Sequence, residues 1–154
     1  MPEPEPRITT PTPTHWEATV PNQLPPLMRA IADLGRWLEL AGADPEARYL
    51  AQLATEELGT NIIKYGYDDE AQHVILLSAF REDDFFRIRL EDDGHEFNPC
   101  LAREPDPSLG LADRVPGGWG LSLVRRLSAG MAYERRDGRN IVSVRLARAT
   151  ATAP

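Results

Sequence analysis

After Asp44-Pro45-Glu46, a start signal with an N-cap acid, a proline at the first helical position and an acid in the first turn, the chain keeps one helical phase to about Tyr65. At about 100° per residue, Leu53, Ala54, Leu58 and Ile62 share a half-turn sector with Leu50. A stripe that wide has to be buried against another layer. Glu57 and Asn61 fall near its centre, four residues apart and stacked on one face, whereas Glu56 points away. Burying a carboxylate and an amide there costs several kcal/mol unless each is paired or reaches a cavity, so the two are expected to line a site. The plainer alternative is a helix end where the stripe drifts and both side chains escape to water. In a site, the carboxylate can take a proton and the amide oxygen can ligate Mg²⁺.

The flanking segments supply the layer. Eight of the 14 prolines fall in the first 26 residues, so residues 1–13 are expected to be a flexible arm. Thr14 to Val20 reads as an edge strand, and Pro25-Pro26 opens a helix with Leu27, Ile31, Leu34 and Leu38 at helical spacing before Gly42. Periodicity does not tell whether Trp37 on this helix is buried or at an interface. Alternating segments at His73 to Phe80 and Phe85 to Asp92 predict a hairpin around Arg81-Glu82-Asp83-Asp84. A long loop, of a length that is either functional or disordered, spans Phe97 to Gly118. A third helix is expected over Trp119 to Leu127, and a last hairpin turns at Asp137-Gly138-Arg139-Asn140 between Met131 to Arg136 and Ile141 to Leu146. This order predicts an α+β two-layer sandwich, helices on one face of a mixed, mostly antiparallel sheet, as one domain over 14–148 with a tail at 149–154.

Composition narrows the chemistry. A chain of 154 residues can bury about 70% of its unfolded surface without staples, and its single cysteine, Cys100, excludes an internal disulfide. A net charge of −7 argues against a nucleic-acid partner. The start has no basic-then-apolar run, and the longest uncharged apolar stretch, around Val74 to Phe80, is far short of the roughly 20 residues that span a bilayer. A cytoplasmic protein with no membrane partner is expected. Lys64 is the sole lysine and follows Ile63, which removes both the Gly-Lys-Ser/Thr phosphate loop and the Val-Ala-Ile-Lys strand of ordinary protein kinases. His15, His73, His95 and Cys100 make no zinc spacing, so any metal would be held by oxygens.

Two further segments carry chemistry. Phe86, Ile88 and Leu90 alternate onto the core face and run into Glu91-Asp92-Asp93-Gly94, which puts acid at the sheet rim where it can accept hydrogen bonds from a ligand amino group. Pro116-Gly117-Gly118-Trp119-Gly120-Leu121 precedes a helix, where glycines and the helix dipole suit an anion. Taken singly, one could be a solvated turn and the other a hinge. In this order, Glu57-Leu58-Gly59-Thr60-Asn61, Asp93-Gly94-His95-Glu96-Phe97-Asn98-Pro99 and Gly117-Gly118-Trp119-Gly120-Leu121 resemble the asparagine box and two glycine boxes of the GHKL ATPase superfamily. The run Asn61-Ile62-Ile63-Lys64-Tyr65-Gly66-Tyr67 and the ending Asp137-Gly138-Arg139-Asn140 are similar to the anti-sigma regulatory serine kinases of bacterial partner-switching systems.

The resemblance implies the GHKL fold, ATP and Mg²⁺ as cofactors, and phosphorylation of a small antagonist protein, with a sigma factor as second partner and a homodimer as relatives form. It makes Asn61 the Mg²⁺ ligand, Glu57 the general base, and Asp93 the acceptor for the adenine amino group beside Gly94. Lys64, Tyr65, Phe97, Asn98, Gly117, Gly118, Trp119, Gly120 and Leu121 complete the nucleotide-binding positions. Where several relatives carry an arginine before the second glycine box, this chain has Pro116, which leaves Arg103 or Arg114 of the lid as substitutes. Tyr65 stands where a histidine is common. A nucleotide-gated binding module without kinase turnover is the alternative reading.

Overall fold

The computed structural model describes residues 2–101, 108 and 118–148. Its elements are β1 (Arg7–Ile8), β2 (His15–Pro21), α1 (Leu24–Leu40), α2 (Pro45–Tyr65), β3 (Val74–Arg81), β4 (Phe85–Asp92), a 3-10 turn (Pro99–Leu101), α3 (Gly118–Leu127), β5 (Gly130–Arg136) and β6 (Arg139–Ala147). The six strands form one sheet in the order β1-β2-β3-β4-β6-β5. Each of the five pairings is antiparallel, in line with the expected sandwich.

Strand alternation builds the core. Trp16, Ala18 and Val20 of β2, Ile75, Leu77 and Ala79 of β3, Phe86, Ile88 and Leu90 of β4 and Val142, Val144 and Leu146 of β6 are all buried. Against them lie Leu27, Ile31, Leu34 and Leu38 of α1 and Leu50, Ala54 and Leu58 of α2. Asp44 caps α2 by accepting from the Ala47 amide at 2.8 Å, the capping its sequence announced. Trp37 is a core residue, edge-on to Phe86 at 6.2 Å, with its indole N–H donating to the Thr12 carbonyl at 2.8 Å.

The N-terminal segment differs from expectation. Prolines argue for a free arm, yet Arg7 and Ile8 pair with Thr19 and Ala18, so β1 forms one edge of the sheet and β2 is covered. Arg29 of α1 holds the preceding residues, donating to the Pro4 carbonyl at 2.9 Å and pairing with Glu5 at 2.9 Å. Between Pro6 and Pro11 the edge needs donors on one side alone, which two residues can supply. At the far end, Asp137 and Gly138 both take positive φ (53° and 75°), the two-residue turn whose twist suits the β5–β6 hairpin.

Candidate functional site

A cavity of about 220 Å³ opens between the C-terminal half of α2 and the ends of β4 and β6. Leu58, Asn61, Ile62 and Tyr65 form the helix side, Asp92, Asn140 and Val142 the sheet side, and His95 to Phe97 with Pro99 the rim. The stripe on α2 explains the helix side: Leu58 goes into the core while Asn61, on the same flank, reaches the opening. Asn61 therefore lines the cavity. Among the described residues its amide has no hydrogen-bond partner.

Asp92 is 4% exposed on the sheet side, and its Oδ1 accepts from the Gly94 amide at 2.9 Å and from Asn140 Nδ2 at 3.0 Å. Asp93, the rim acid that the resemblance makes the adenine acceptor, faces the other way. A strand turns successive side chains to opposite faces, so the alternation Phe86, Ile88, Leu90 continues to Asp92 and sends Asp93 outward. The signal is present in the sequence, one residue upstream of the acid that opens the first glycine box. Asp93 instead lies in an outer recess, where it accepts from the Tyr67 hydroxyl at 3.1 Å and sits 3.4 Å from His73 Nδ1. Gly94 belongs to this outer side too, and a Cβ there would lie 2.6 Å from the Gly66 carbonyl oxygen. The glycine lets the strand end approach the C-cap of α2, where the His95 amide donates to that carbonyl at 2.9 Å.

Glu57 lies outside the cavity lining, beside the start of α3. A Cβ on Gly120 would overlap its carboxylate, so any side chain there would have to displace the end of Glu57. Burial raises the Glu57 pKa, the neighbouring Glu56 charge adds to the rise, and Lys64 opposes it. A raised carboxylate beside a glycine-opened helix is the setting of a proton acceptor.

The other predicted positions divide. Tyr65 and Phe97 line the cavity, each at least half exposed, and the Phe97 amide donates to Asn140 Oδ1 at 3.3 Å. Lys64 is exposed and reaches the site through its charge on Glu57. Asn98 serves its own loop, accepting from the Cys100 amide at 2.9 Å. Leu121 is buried in the core, a packing role, while Trp119 stands half-exposed on α3, which Gly118 opens. Gly117, Arg103, Arg114 and Pro116 lie outside the described residues.

Sequence reasoning misses three site residues as individuals. Asn140 figures there only within a terminal motif, and Tyr67 only within the asparagine-box run. His73 carries no functional expectation. Tyr67 and His73 stack at 3.9 Å with 11° between the rings, and His73 Nε2 sits 2.8 Å from Asp69 Oδ1. The Asp69 hydrogen bond raises the His73 pKa, and the Asp69 and Asp93 charges add to it. Burial and the Asp92 and Asp93 charges push the Tyr67 hydroxyl well up. Among the described residues no group of three or more His, Cys, Asp or Glu could hold a metal ion, and no helix is long and apolar enough to cross a membrane.

Comparison with known proteins adds two findings. Residues 19–146 match the family of histidine kinase-like ATPase domains. Over 96 residues, 60% of the chain, the sequence is 31% identical to the serine/threonine-protein kinase BtrW of Bordetella bronchiseptica. That match spans 66% of the relative's length, just under two thirds.

Proposed function

The chain belongs to the histidine kinase-like ATPase family, and from that premise we propose that it binds ATP in the α2–β4–β6 cavity and phosphorylates a serine or threonine of a small antagonist protein. In this reading it works in the cytoplasm as part of a partner-switching system, with a sigma factor as the alternative partner. The observation that carries the reading is the buried Asp92 carboxylate opposite Asn61 across the cavity. A carboxylate accepts and never donates, so it selects a base edge that offers N–H, as the adenine amino group does. The proposal gives that role to Asp92 in place of Asp93. Leu58, Ile62 and Val142 supply apolar contact for the ring.

At the other end, Gly118 and Gly120 open α3, whose N-terminal end and dipole suit phosphate oxygens. The Asn61 amide oxygen, without a partner among the described residues, fits one position of Mg²⁺, a hard ion that takes its remaining ligands from phosphates and waters. When bound, the ion neutralises phosphate charge. Glu57 then accepts the proton of the attacking hydroxyl as its oxygen bonds to the terminal phosphorus, and the bond to the ADP oxygen breaks with its electron pair leaving on ADP. Little else is asked of side chains, because phosphoryl transfer depends mainly on positioning and charge.

Calorimetry with ATP, with and without Mg²⁺, tests the binding half, and transfer of a labelled terminal phosphate to a co-purified antagonist tests the chemistry. Asn61→Ala should weaken the Mg²⁺-dependent binding, and Glu57→Gln should keep ATP binding while abolishing transfer. Absence of binding at millimolar ATP sinks the proposal. Binding with no transfer by the wild type leaves the nucleotide-gated module, a reading that Pro116 in the usual arginine position favours.

A further inference from the structure

Asn140 of β6 stands directly opposite Asp92 of β4 in the sheet register and is 4% exposed. Its Oδ1 accepts from three donors: the Tyr133 hydroxyl at 2.6 Å, Arg135 Nη1 at 3.0 Å and the Phe97 amide at 3.3 Å. With the oxygen so engaged, the amide has one orientation, because a flip would set its oxygen against the Asp92 carboxylate and turn its N–H₂ toward the donors. Nδ2 therefore donates to Asp92 Oδ1 at 3.0 Å and to the His95 carbonyl at 2.7 Å. Arg135 Nη1 also donates to the Gly94 carbonyl at 2.9 Å, fastening the segment that follows Asp92. Tyr133 and Arg135 are two residues apart on β5 and so share a face of this edge strand.

We propose that Tyr133, Arg135 and Asn140 form a positioning relay from the edge strand β5 to Asp92. By fixing the amide of Asn140 they fix the rotamer of the carboxylate and the path of Gly94 to Phe97, and so set how strongly the cavity prefers a base that carries an exocyclic amino group. The inference rests on the reading of the cavity as an ATP site. It assigns no contact with the nucleotide to Tyr133 or Arg135.

The test is calorimetry on the full chain with two ligands, ATP and purine riboside triphosphate, which is ATP without its amino group. The ratio of the two affinities isolates the contact made by Asp92. Tyr133→Phe and Arg135→Met should each weaken ATP binding about three- to tenfold while leaving the purine analogue within twofold, the loss expected for a loosened charged hydrogen bond. Arg135→Lys should recover part of the ratio. Asn140→Asp is nearly isosteric and places a second carboxylate about 3 Å from the first, where the two cannot both ionise without a large cost. At pH 8 this variant should bind ATP at least about tenfold more weakly than wild type, and at pH 6 a shared proton should restore most of the difference. Glu96, His95 with Asp68, and Tyr67 also face this region and Arg135 adjoins it, so wild type measured at both values is the reference.

Thermal unfolding of each variant accompanies the titrations. If wild type binds ATP and the variants keep its affinity ratio, the relay is wrong. It is equally wrong if both ligands weaken together in step with the melting temperature and Asn140→Asp shows no recovery at pH 6. If wild type binds no ATP, the reading of the cavity falls and takes the relay with it.

Discussion

The carboxylate of Glu57 on α2 fills the space that a side chain on Gly120 of α3 would need. Two boxes of the sequence thus meet as one packing contact, and the glycine serves the acid as much as any phosphate.

Gly120→Ala should accordingly displace Glu57 without harming the helix, since alanine is at least as good a helix former as glycine. Phosphoryl transfer is expected to fall about 100-fold, the scale of a catalytic group moved by about 1 Å, with the melting temperature unchanged or slightly raised. Single-turnover rates set beside thermal unfolding check this, and an active Gly120→Ala protein would show that the contact is dispensable.

Asp92→Asn and Asp93→Asn separate the two neighbouring acids. Loss of the buried charge and of one acceptor oxygen should weaken ATP binding by about 1.5–3 kcal/mol, or roughly 10- to 150-fold. The Asp93 change acts in the outer recess and should stay within twofold. Calorimetry that gave the reverse order would return the base-binding role to Asp93.

Because burial raises the Glu57 pKa, the acid limb of the transfer rate should have its midpoint above the ordinary glutamate value of 4.5. The sign for stability follows from the same shift. A folded-state pKa above the unfolded one contributes stability below the unfolded value, and that contribution is lost as pH rises through the folded value. Glu57→Gln should therefore melt higher than wild type at neutral pH, with the gain shrinking as pH falls into the ordinary glutamate range. A gain independent of pH would mean that the ionised carboxylate is not the source.

His73 has a carboxylate oxygen facing each ring nitrogen, Asp69 at 2.8 Å and Asp93 at 3.4 Å. A neutral imidazole has one N–H, so both contacts are satisfied only by the protonated ring. Its pKa is raised above 6.5, chiefly by the Asp69 hydrogen bond. Stability from this clamp is present below the unfolded value and disappears as pH rises through the folded one. The melting temperature of wild type minus that of His73→Gln should be positive near pH 6 and shrink by pH 8. A ring titration by NMR at or below 6.5 would remove the basis for this.

Local periodicity was enough for much of this protein. The stripe from Leu50 to Ile62 determined α2 and marked Glu57 and Asn61 as polar intruders, the capping acid Asp44 marked its start, and the alternation Phe86, Ile88, Leu90 implied the inward face that Asp92 completes. Each of these is a property of one segment, written in side chains a few residues apart. The rest joins distant segments. Asp92 and Asn140 are 48 residues apart and meet because β4 and β6 pair in one register. Residues Tyr67, His73 and Asp93 converge on a recess that no single repeat describes, and Arg29 draws a proline-rich arm onto the sheet edge. No local pattern encodes which strand lies beside which. Register and close packing of the whole chain decide that, and with it the orientation of the buried Asp92 carboxylate in the cavity.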